Sequence, residues 1–401
     1  MNKWRDLTNR TWGSLKNTTW REVKLEEIAP FKYGKSKVAK ERITGKYDVY
    51  SSGGHCGYSD DMLANKGIII GRKGSVGTVY YSDKPFFAID TAFFIDSVDK
   101  QSDLKFIYYL LTTLKLEEYN NDAAVPGLNR NLAHKLKLQI PDLETQEKIA
   151  DILSTYDKLI ENNNRRIKIL EEIAEEIYKE WFVRMRFPGH KNTTFEKGIP
   201  KGWEVVKVRD LAKKIESGKR PKANYSEEHM VVSLGAADIK SLGEYEDSKE
   251  YLIPYSFFKE MRRGKVEDKD IAIYKDGAYT GKTTMFRDGF PYSNIAVNEH
   301  VFLVQCKDPK LQNYLLFTLK QKSYFDLIQA LSMTSAQPGL NQNKLKNIKI
   351  QIPTNDLVEK FHILTESLLK QIFNLAKQNQ NLKKQRDLLL PRLMNGTIQV
   401  K

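Results

Sequence analysis

The chain has 401 residues, a hydrophobic fraction of 40% and a formal net charge of +14. This length exceeds what one hydrophobic core accommodates and predicts two or three domains, while the hydrophobic content excludes wholesale disorder. The excess of Lys and Arg indicates a polyanionic partner, and two cysteines, Cys56 and Cys306, are too few for a disulfide framework or a zinc cluster.

No apolar stretch is long enough to span a bilayer, and the N-terminal sequence MNKWRDLTNR lacks the apolar core of a signal peptide. The sequence therefore predicts a soluble, cytoplasmic protein with no membrane partner. The positive charge is divided evenly. Residues 1–143 hold 22 Lys and Arg against 17 Asp and Glu, and residues 203–353 hold 24 against 19, so each segment is +5.

Residues 1–143 predict a first lobe of mixed α and β structure. An aliphatic strand begins at Gly67 and leads into a glycine turn that carries Arg72, Lys73 and Ser75. A second strand follows over 78–81, then a buried strand over 85–90 and a core helix over 104–111. Basic and polar side chains on a glycine turn are suited to recognition of a nucleic acid.

Residues 144–187 predict a long helix that spaces the lobes. Apolar side chains recur every seven residues, which favours a coiled coil over a helix packed only on its own lobe. We expect this helix to end at Pro188 and residues 188–202 to form a linker. The predicted coiled-coil positions are Ile149, Tyr156, Leu170 and Ile177.

Residues 203–353 predict a second lobe, in which the strand Ile271–Tyr274 precedes GAYTGKTT at 277–284. A phosphate-binding loop needs four residues between its two glycines, and this turn has only three. We therefore interpret it as a glycine turn between strands, with Lys275, Tyr279, Lys282 and Thr283 as candidate DNA-binding residues. A buried strand over 297–304 and a core helix over 311–318 complete the prediction.

Residues 354–395 predict a second long spacer helix, ended by Pro391, and residues 396–401 a C-terminal tail. A pseudo-two-fold arrangement would bring this helix back antiparallel to the first. Its heptad positions are Phe361, Leu368, Leu375, Leu382 and Leu389.

The chain is an internal repeat whose borders agree and whose interiors differ. Trp20 and Trp203 open similar phrases at an offset of 183 residues, whereas later phrases recur at an offset of 212. The later pairs are Val125-Pro-Gly-Leu-Asn129 with Gln337-Pro-Gly-Leu-Asn341, and Gln139-Ile-Pro141 with Gln351-Ile-Pro353. The predicted fold class is α+β (mixed α/β), with two similar globular domains separated by two long helices that form an antiparallel coiled coil.

This organisation resembles the specificity subunit of type I restriction–modification systems over nearly the whole chain. The phrases that carry the resemblance are Ile177-Tyr-Lys-Glu-Trp-Phe182, Arg186-Phe-Pro-Gly-His190, Ile199-Pro-Lys-Gly-Trp203 and Leu389-Leu-Pro-Arg-Leu-Met-Asn-Gly396. The resemblance implies that each lobe is a target-recognition domain that reads one half of a split double-stranded DNA site. It also implies that the helices set the gap and dock two methyltransferase subunits, which restriction subunits join.

The resemblance further implies a chain without catalysis or a metal site of its own. S-adenosylmethionine, ATP and Mg²⁺ would then act in the partner subunits, in agreement with the lack of a methyltransferase, nuclease or nucleotide-binding motif in this sequence. One alternative is an architectural or adaptor DNA-binding protein with the same two-lobed frame and no restriction partners. Another is an NTPase, whose nucleotide binding would depend on Lys282.

Overall fold

A computed structural model describes residues 20–119, 127–196, 198–221, 228–248, 250–333 and 339–400. The sequence MNKWRDLTNR lies outside these residues. So do Val125, Pro126, Gln337 and Pro338 of the repeated Pro-Gly-Leu-Asn phrases, whereas Gly127–Asn129 and Gly339–Asn341 are described.

The first lobe is built from a four-stranded sheet of order β2-β8-β5-β6, a three-stranded sheet of order β4-β3-β7 and the pair β1-β9. Its strands are β1 (Arg21–Lys24), β2 (Lys32–Tyr33), β3 (Tyr47–Ser51), β4 (Gly54–Ser59), β5 (Gly67–Gly71), β6 (Val79–Ser82), β7 (Phe86–Ala88), β8 (Ala92–Ile95) and β9 (Lys137–Ile140). Its helices are Leu25–Ile28, Leu104–Thr113 and Arg130–His134, with 3-10 turns at Ala39–Glu41 and Leu116–Glu118.

The second lobe repeats this topology strand for strand, with sheets of order β13-β19-β16-β17 and β15-β14-β18 and the pair β12-β20. Its strands are β12 (Glu204–Lys207), β13 (Ala212–Ser217), β14 (Met230–Leu234), β15 (Leu252–Pro254), β16 (Ile271–Tyr274), β17 (Thr283–Met285), β18 (Ile295–Val297), β19 (Val301–Cys306) and β20 (Lys349–Ile352). Its helices are Val208–Leu211, Tyr255–Glu260, Lys310–Lys320, Lys322–Met333 and Gln342–Asn347, with a 3-10 turn at Ala236–Asp238. In the linker, β10 (Phe195–Glu196) pairs with β11 (Ile199–Pro200) after a 3-10 turn at His190–Asn192.

The register of the two lobes shows which residues are equivalent. Ile70 of β5 lies opposite Phe93 of β8, and Ile273 of β16 lies opposite Phe302 of β19. The strands that immediately precede the basic turns are buried between apolar neighbours, since Ile68–Ile70 and Ile271–Ile273 have no exposed surface. Apolar residues on both faces of a strand predict such a central position, and the structure confirms these strands and the helices Leu104–Thr113 and Lys310–Lys320.

The border phrases of the repeat pair with each other inside each lobe. β1 and β9 are antiparallel with Arg21 opposite Ile140, and β12 and β20 are antiparallel with Glu204 opposite Ile352. Paired strands lie about 5 Å apart. The chain therefore begins and ends each lobe at nearly the same place.

The two long helices are Leu143–Tyr178, which continues as a π-helical turn over Lys179–Val183, and Asn355–Met394. The first ends before Pro188, as expected. The prediction that Pro391 ends the second helix is wrong, because the helix continues to Met394. A proline this close to a helix end removes one backbone hydrogen bond, and the Asn395 N–H still donates to the Pro391 carbonyl at 3.1 Å.

The predicted continuous strand over 297–304 is also wrong in one detail. Ile295–Val297 and Val301–Cys306 are separate strands in different sheets. Between them, the Asn298 N–H donates to Leu234 of β14 at 2.9 Å, and the Asn298 side chain accepts from the His300 N–H at 2.9 Å. These bonds form a turn that carries the chain from one sheet to the other.

The chain divides into two compact units, one of residues 1–159 with 382–401 and the other of residues 160–381. In the first unit, Leu393 and Met394 join a core that contains Val23, Ile140 and Ile149. In the second, Phe361 and Phe373 of the long helix belong to the core of the second lobe with Phe317.

The long helices run antiparallel within each unit. In the first unit, Arg386 Nη1 donates to Asp157 at 2.6 Å. In the second unit, the buried Asn163 donates to Asn379 at 3.0 Å, and the Tyr178 ring lies 6.0 Å from that of Phe361. Ile149, Phe361 and Leu375 are buried, and the other predicted heptad positions are half-buried: Tyr156, Leu170, Ile177, Leu368, Leu382 and Leu389.

Candidate DNA interface

The basic turn of the first lobe, residues 72–77, follows β5 directly. The backbone N–H groups of Arg72 and Lys73 donate to the Thr91 carbonyl at 2.9 and 3.1 Å, which fixes the start of the turn on the sheet. The Arg72 guanidinium donates to the Asp90 carbonyl at 3.0 Å and lies 5.7 Å from the centre of the Phe93 ring. Lys73 and Ser75 are exposed.

The basic turn of the second lobe, residues 275–282, follows β16 in the same way. The Lys275 N–H donates to the His300 carbonyl at 3.1 Å, and its ammonium lies 5.2 Å from the centre of the Phe302 ring. Since Phe302 is the register equivalent of Phe93, both lobes place a cation over the same aromatic position. Tyr279, with 66% of its surface exposed, and Lys282 project from this turn.

The glycine turn at 277–281 is not a phosphate cradle, because its backbone donors are already used. The N–H groups of Thr280, Gly281 and Lys282 donate to the carbonyls of Gly277, Tyr274 and Tyr279 at 3.2, 2.7 and 2.9 Å. A phosphate-binding loop needs such groups free to point at the phosphate. The geometry is that of a turn between β16 and β17, as the spacing of the glycines predicted.

A second segment anchors each basic turn. The Leu128 N–H donates to the Arg72 carbonyl at 2.9 Å, and the Leu340 N–H donates to the Lys275 carbonyl at 2.8 Å. In each lobe the following asparagine then caps a short helix: Asn129 accepts from Asn131 and Leu132, and Asn341 accepts from Lys344. The described part of the repeated Gly-Leu-Asn phrase thus anchors the basic turn in both lobes.

A third segment begins with a glycine that lies against the backbone of a neighbouring segment. A side chain at Gly34 would collide with the Ile89 carbonyl, and one at Gly218 with the Val297 carbonyl, so both positions require glycine. Lys35 follows the first glycine, and Lys219 with Arg220 follow the second. Arg220 lies 3.8 Å from the centre of the Tyr251 ring, and Lys219 lies 5.4 Å from that of Phe257.

The structure leaves one predicted contact residue away from the surface. Thr283 is 6% exposed, and its hydroxyl donates to the Gly281 carbonyl at 2.9 Å, because it begins the buried strand β17. In the first lobe Arg72, Lys73 and Ser75 lie together in one turn, and in the second Lys275, Tyr279 and Lys282 do so. Their contact with DNA stays a prediction.

The sequence patterns did not single out Tyr33, Arg130, Gly34 or Gly218. The glycine followed by lysine in each copy was a detectable signal, as was the asparagine of the Gly-Leu-Asn phrase. Tyr33 and Arg130 carried none, because only β-sheet register and the anchoring segment bring residues almost one hundred positions apart into contact.

His134 lies beside this region as a neutral acceptor. Its Nε2 accepts a hydrogen bond from the Phe31 N–H at 3.0 Å. Burial, and then the charge of Arg130, lower the pKa of the His134 imidazole below its usual value. Among the described residues, no group of three or more His, Cys, Asp or Glu side chains is placed to hold a metal ion.

Comparison with known proteins agrees with this duplicated architecture. The family model of the type I restriction modification DNA specificity domain matches residues 17–172 and again residues 200–384. The chain is 30% identical over 307 residues to the type I restriction enzyme MjaIX specificity subunit of Methanocaldococcus jannaschii, covering 74% of this chain and 69% of that one. It is 22% identical over 375 residues to the HindI specificity subunit of Haemophilus influenzae, covering 73% and 77%.

The fold is also that of a solved relative. The crystal structure of a type I restriction–modification S subunit from M. genitalium has a TM-score of 0.62 to this chain and 18% sequence identity, covering 96% of this chain and 98% of the other. The matches define a protein with two copies of a DNA specificity domain. The chain belongs to the type I restriction–modification DNA specificity family. None of its described helices is long and apolar enough to cross a membrane.

Proposed function

We propose that this chain is the DNA-specificity subunit of a type I restriction–modification complex, in which each lobe reads one half of an asymmetric, bipartite double-stranded DNA site. The observation that carries this proposal is the three-segment surface that recurs in both lobes. Each lobe combines a glycine-lysine segment, a basic turn and an anchoring Gly-Leu-Asn segment on equivalent strands.

The backbone of this surface is the same in the two lobes, whereas its side chains differ. Arg72 corresponds to Lys275, and the turns that follow have different lengths and sequences. Backbone phosphate contacts position a protein on DNA, and side chains that reach base edges select the sequence. A shared scaffold with different side chains supports two half-sites of different sequence.

The long helices would set the gap between the half-sites and dock two methyltransferase subunits. Exposed apolar side chains support docking at equivalent positions of both helices. Ile152 of the first helix is 38% exposed, and Leu364, which lies 212 residues further on, is 45% exposed. One partner on each helix would then bury equivalent surfaces.

Catalysis would lie in these partners. Methyl transfer would use S-adenosylmethionine in the methyltransferase subunits, and cleavage would use ATP and Mg²⁺ in the restriction subunits. The occupied N–H groups of the 277–281 turn support a targeting role over an NTPase for this chain.

Methylation mapping tests the proposal. We expect the genome of a strain that carries the gene to show one asymmetric, bipartite methylated motif that disappears when the gene is deleted. A methylation pattern that does not change on deletion, in cells that express the partner methyltransferase, would contradict the proposed function.

A further inference from the structure

Two guanidinium groups of the first lobe lie over one exposed aromatic ring. The carbon centre of Arg72 is 5.0 Å from the centre of the Tyr33 ring, and that of Arg130 is 4.8 Å from it. Tyr33 has 48% of its surface exposed, and its ring lies 5.0 Å from that of Phe93 below it. The ring therefore holds two cations at the surface of the lobe.

The backbone fixes all three residues. Tyr33 lies opposite Phe93 in the β2-β8 pair, and Arg72 begins the basic turn. Arg130 is the first residue of the helix that Asn129 caps, two positions after the Leu128 N–H that donates to Arg72. This arrangement brings the charges together at the cost of their mutual repulsion, which only weak ring contacts offset.

These cations have no anionic partner within the part of the chain that the structure describes. Neither Arg72 nor Arg130 forms an ion pair there, whereas the adjacent Lys32 binds both oxygens of Asp96 at 2.6 and 2.8 Å. The buried Nε of Arg130 also has no hydrogen-bond partner. A guanidinium that packs through its face keeps the N–H groups at its edge available to an acceptor.

The second lobe lacks this arrangement at the equivalent positions. By register, Ser217 stands where the first lobe has Tyr33, since it lies opposite Phe302. Gln342 follows the capping asparagine where the first lobe has Arg130, and its side chain donates to the Ile215 carbonyl. The paired cations are therefore a property of the first lobe and not of the shared fold.

We infer that Arg72 and Arg130 bind phosphates of the DNA backbone at the first half-site, and that the Tyr33 ring positions their guanidinium groups. The inference rests on the proposed function and deepens it. Phosphate is the anion that matches two unpaired guanidinium groups, because each of its oxygens accepts N–H donors from a planar fork. Tyr33 acts through the two arginines as a positioning residue.

The test measures DNA binding by the full chain, assembled with its methyltransferase partner, as a function of salt. Arg130→Gln introduces the residue that the second lobe carries. We expect affinity at low salt to fall about tenfold, and the slope of log K against log salt to become shallower by about one unit. The methylated sequence should stay the same, because phosphate contacts carry no base information.

Three further variants separate positioning from charge and from folding. Lys32→Ala removes a neighbouring cation that is paired with Asp96, so the salt slope should not change. Tyr33→Leu keeps both charges and removes the ring, so binding should weaken, while Tyr33→Phe should retain wild-type binding. Equal thermal stability of the Arg130→Gln and wild-type chains would show that loss of binding is not loss of folding.

The outcomes are distinguishable. An unchanged slope in a folded Arg130→Gln variant of a complex that still methylates its site overturns the inference and leaves the proposed function intact. A changed base preference at the first half-site also overturns it, because Arg130 would then read a base. A wild-type complex that binds no DNA overturns both.

Discussion

At the scale of single residues, Glu366 connects the second long helix to the second lobe. Its carboxylate accepts hydrogen bonds from Lys269 at 2.8 Å, from Arg287 at 2.7 and 3.1 Å and from Asn313 at 3.2 Å. Burial alone would raise the pKa of the Glu366 carboxyl, but these hydrogen bonds lower it to about 2. Arg287, only 4% exposed, depends on Glu366 for charge neutralisation.

Glu366→Gln should therefore lower the free energy of unfolding by about 2 kcal/mol at pH 7. A depressed carboxyl pKa stabilises the fold above pH 4.5, the usual pKa, and this stabilisation is lost as the pH falls toward 2. Urea unfolding of wild type and variant at pH 7 and pH 3 should show a smaller difference in acid.

Glu359→Gln is the matched control. Glu359 lies on the same helix and binds Lys310 of the same lobe at 2.7 Å, but both side chains are about half exposed. This variant should change the unfolding free energy by less than about 0.5 kcal/mol. A Glu366→Gln effect no larger than that of Glu359→Gln would contradict the importance of the buried cluster.

Removing two cations of the second basic turn should weaken DNA binding without affecting nucleotides. For Lys275→Ala with Lys282→Ala, we expect the salt slope to become shallower by up to about two units, because each phosphate contact contributes about one. Lys322→Ala is the control, since Lys322 is paired with Asp326 at 2.9 Å. Measurable ATP hydrolysis by the purified chain, abolished by Lys282→Ala, would restore the NTPase interpretation.

At the scale of elements, the antiparallel helices are aligned by a buried polar contact in the second unit. Asn163 donates to Asn379, and Asn379 in turn donates to Asn164 at 2.8 Å. Buried asparagines in a coiled coil fix register, because any shift leaves their amides without partners. Facing residues in this register have numbers that add to 542, so a change in one helix requires a matching change in the other.

Removing one heptad from each helix, residues 161–167 and 375–381, should therefore shorten the gap in the recognised DNA. Each helix loses about 10 Å, which corresponds to about three base pairs. The expected result in methylation mapping is the same two half-sites with a narrower gap. Active protein with an unchanged gap would show that these helices do not set the spacing.

A shift of two residues supplies the comparison for this experiment. Deleting only residues 162–163 rotates the apolar stripe away from the facing helix and removes one partner of Asn379. We expect this chain to be less stable in thermal unfolding than the heptad deletion. Equal stability would mean that the heptad pattern does not determine helix packing.

Patterns along the sequence predicted the elements whose signal is local. The heptads predicted both long helices, and aliphatic runs predicted β5 and β16. The turn at Asn298 was missed because its hydrogen bond to Leu234 joins residues far apart in sequence. The contact of Tyr33 with Arg130 was missed for the same reason, since it depends on sheet register.

At the scale of the whole molecule, each lobe is a replaceable module between two paired strands. β1 with β9, and β12 with β20, place the two ends of each lobe side by side regardless of its interior. Replacing residues 203–353 with the matching lobe of a relative should change one half of the methylated motif and leave the other half unchanged. Simultaneous change of both halves would contradict independent reading.

Residues near the end of the second long helix should stabilise the first lobe. Leu393 is 2% exposed and belongs to the core that contains Val23 and Ile140. Leu393→Ala should cost about 2–5 kcal/mol and increase hydrogen exchange over residues 20–140. Leu388→Ala, at a position 52% exposed, is the control. Faster exchange confined to residues 203–353 would contradict this assignment.

The discontinuity of the first unit has a consequence for protein synthesis. The ribosome releases residues 160–381, a complete unit, before it has made Leu393 and Met394, which the core of the first unit requires. Domains generally fold as they emerge, from the N-terminus onward. Here that order is reversed, because the lobe translated first is completed last. Premature termination after residue 381 would therefore damage the lobe encoded at the opposite end of the gene.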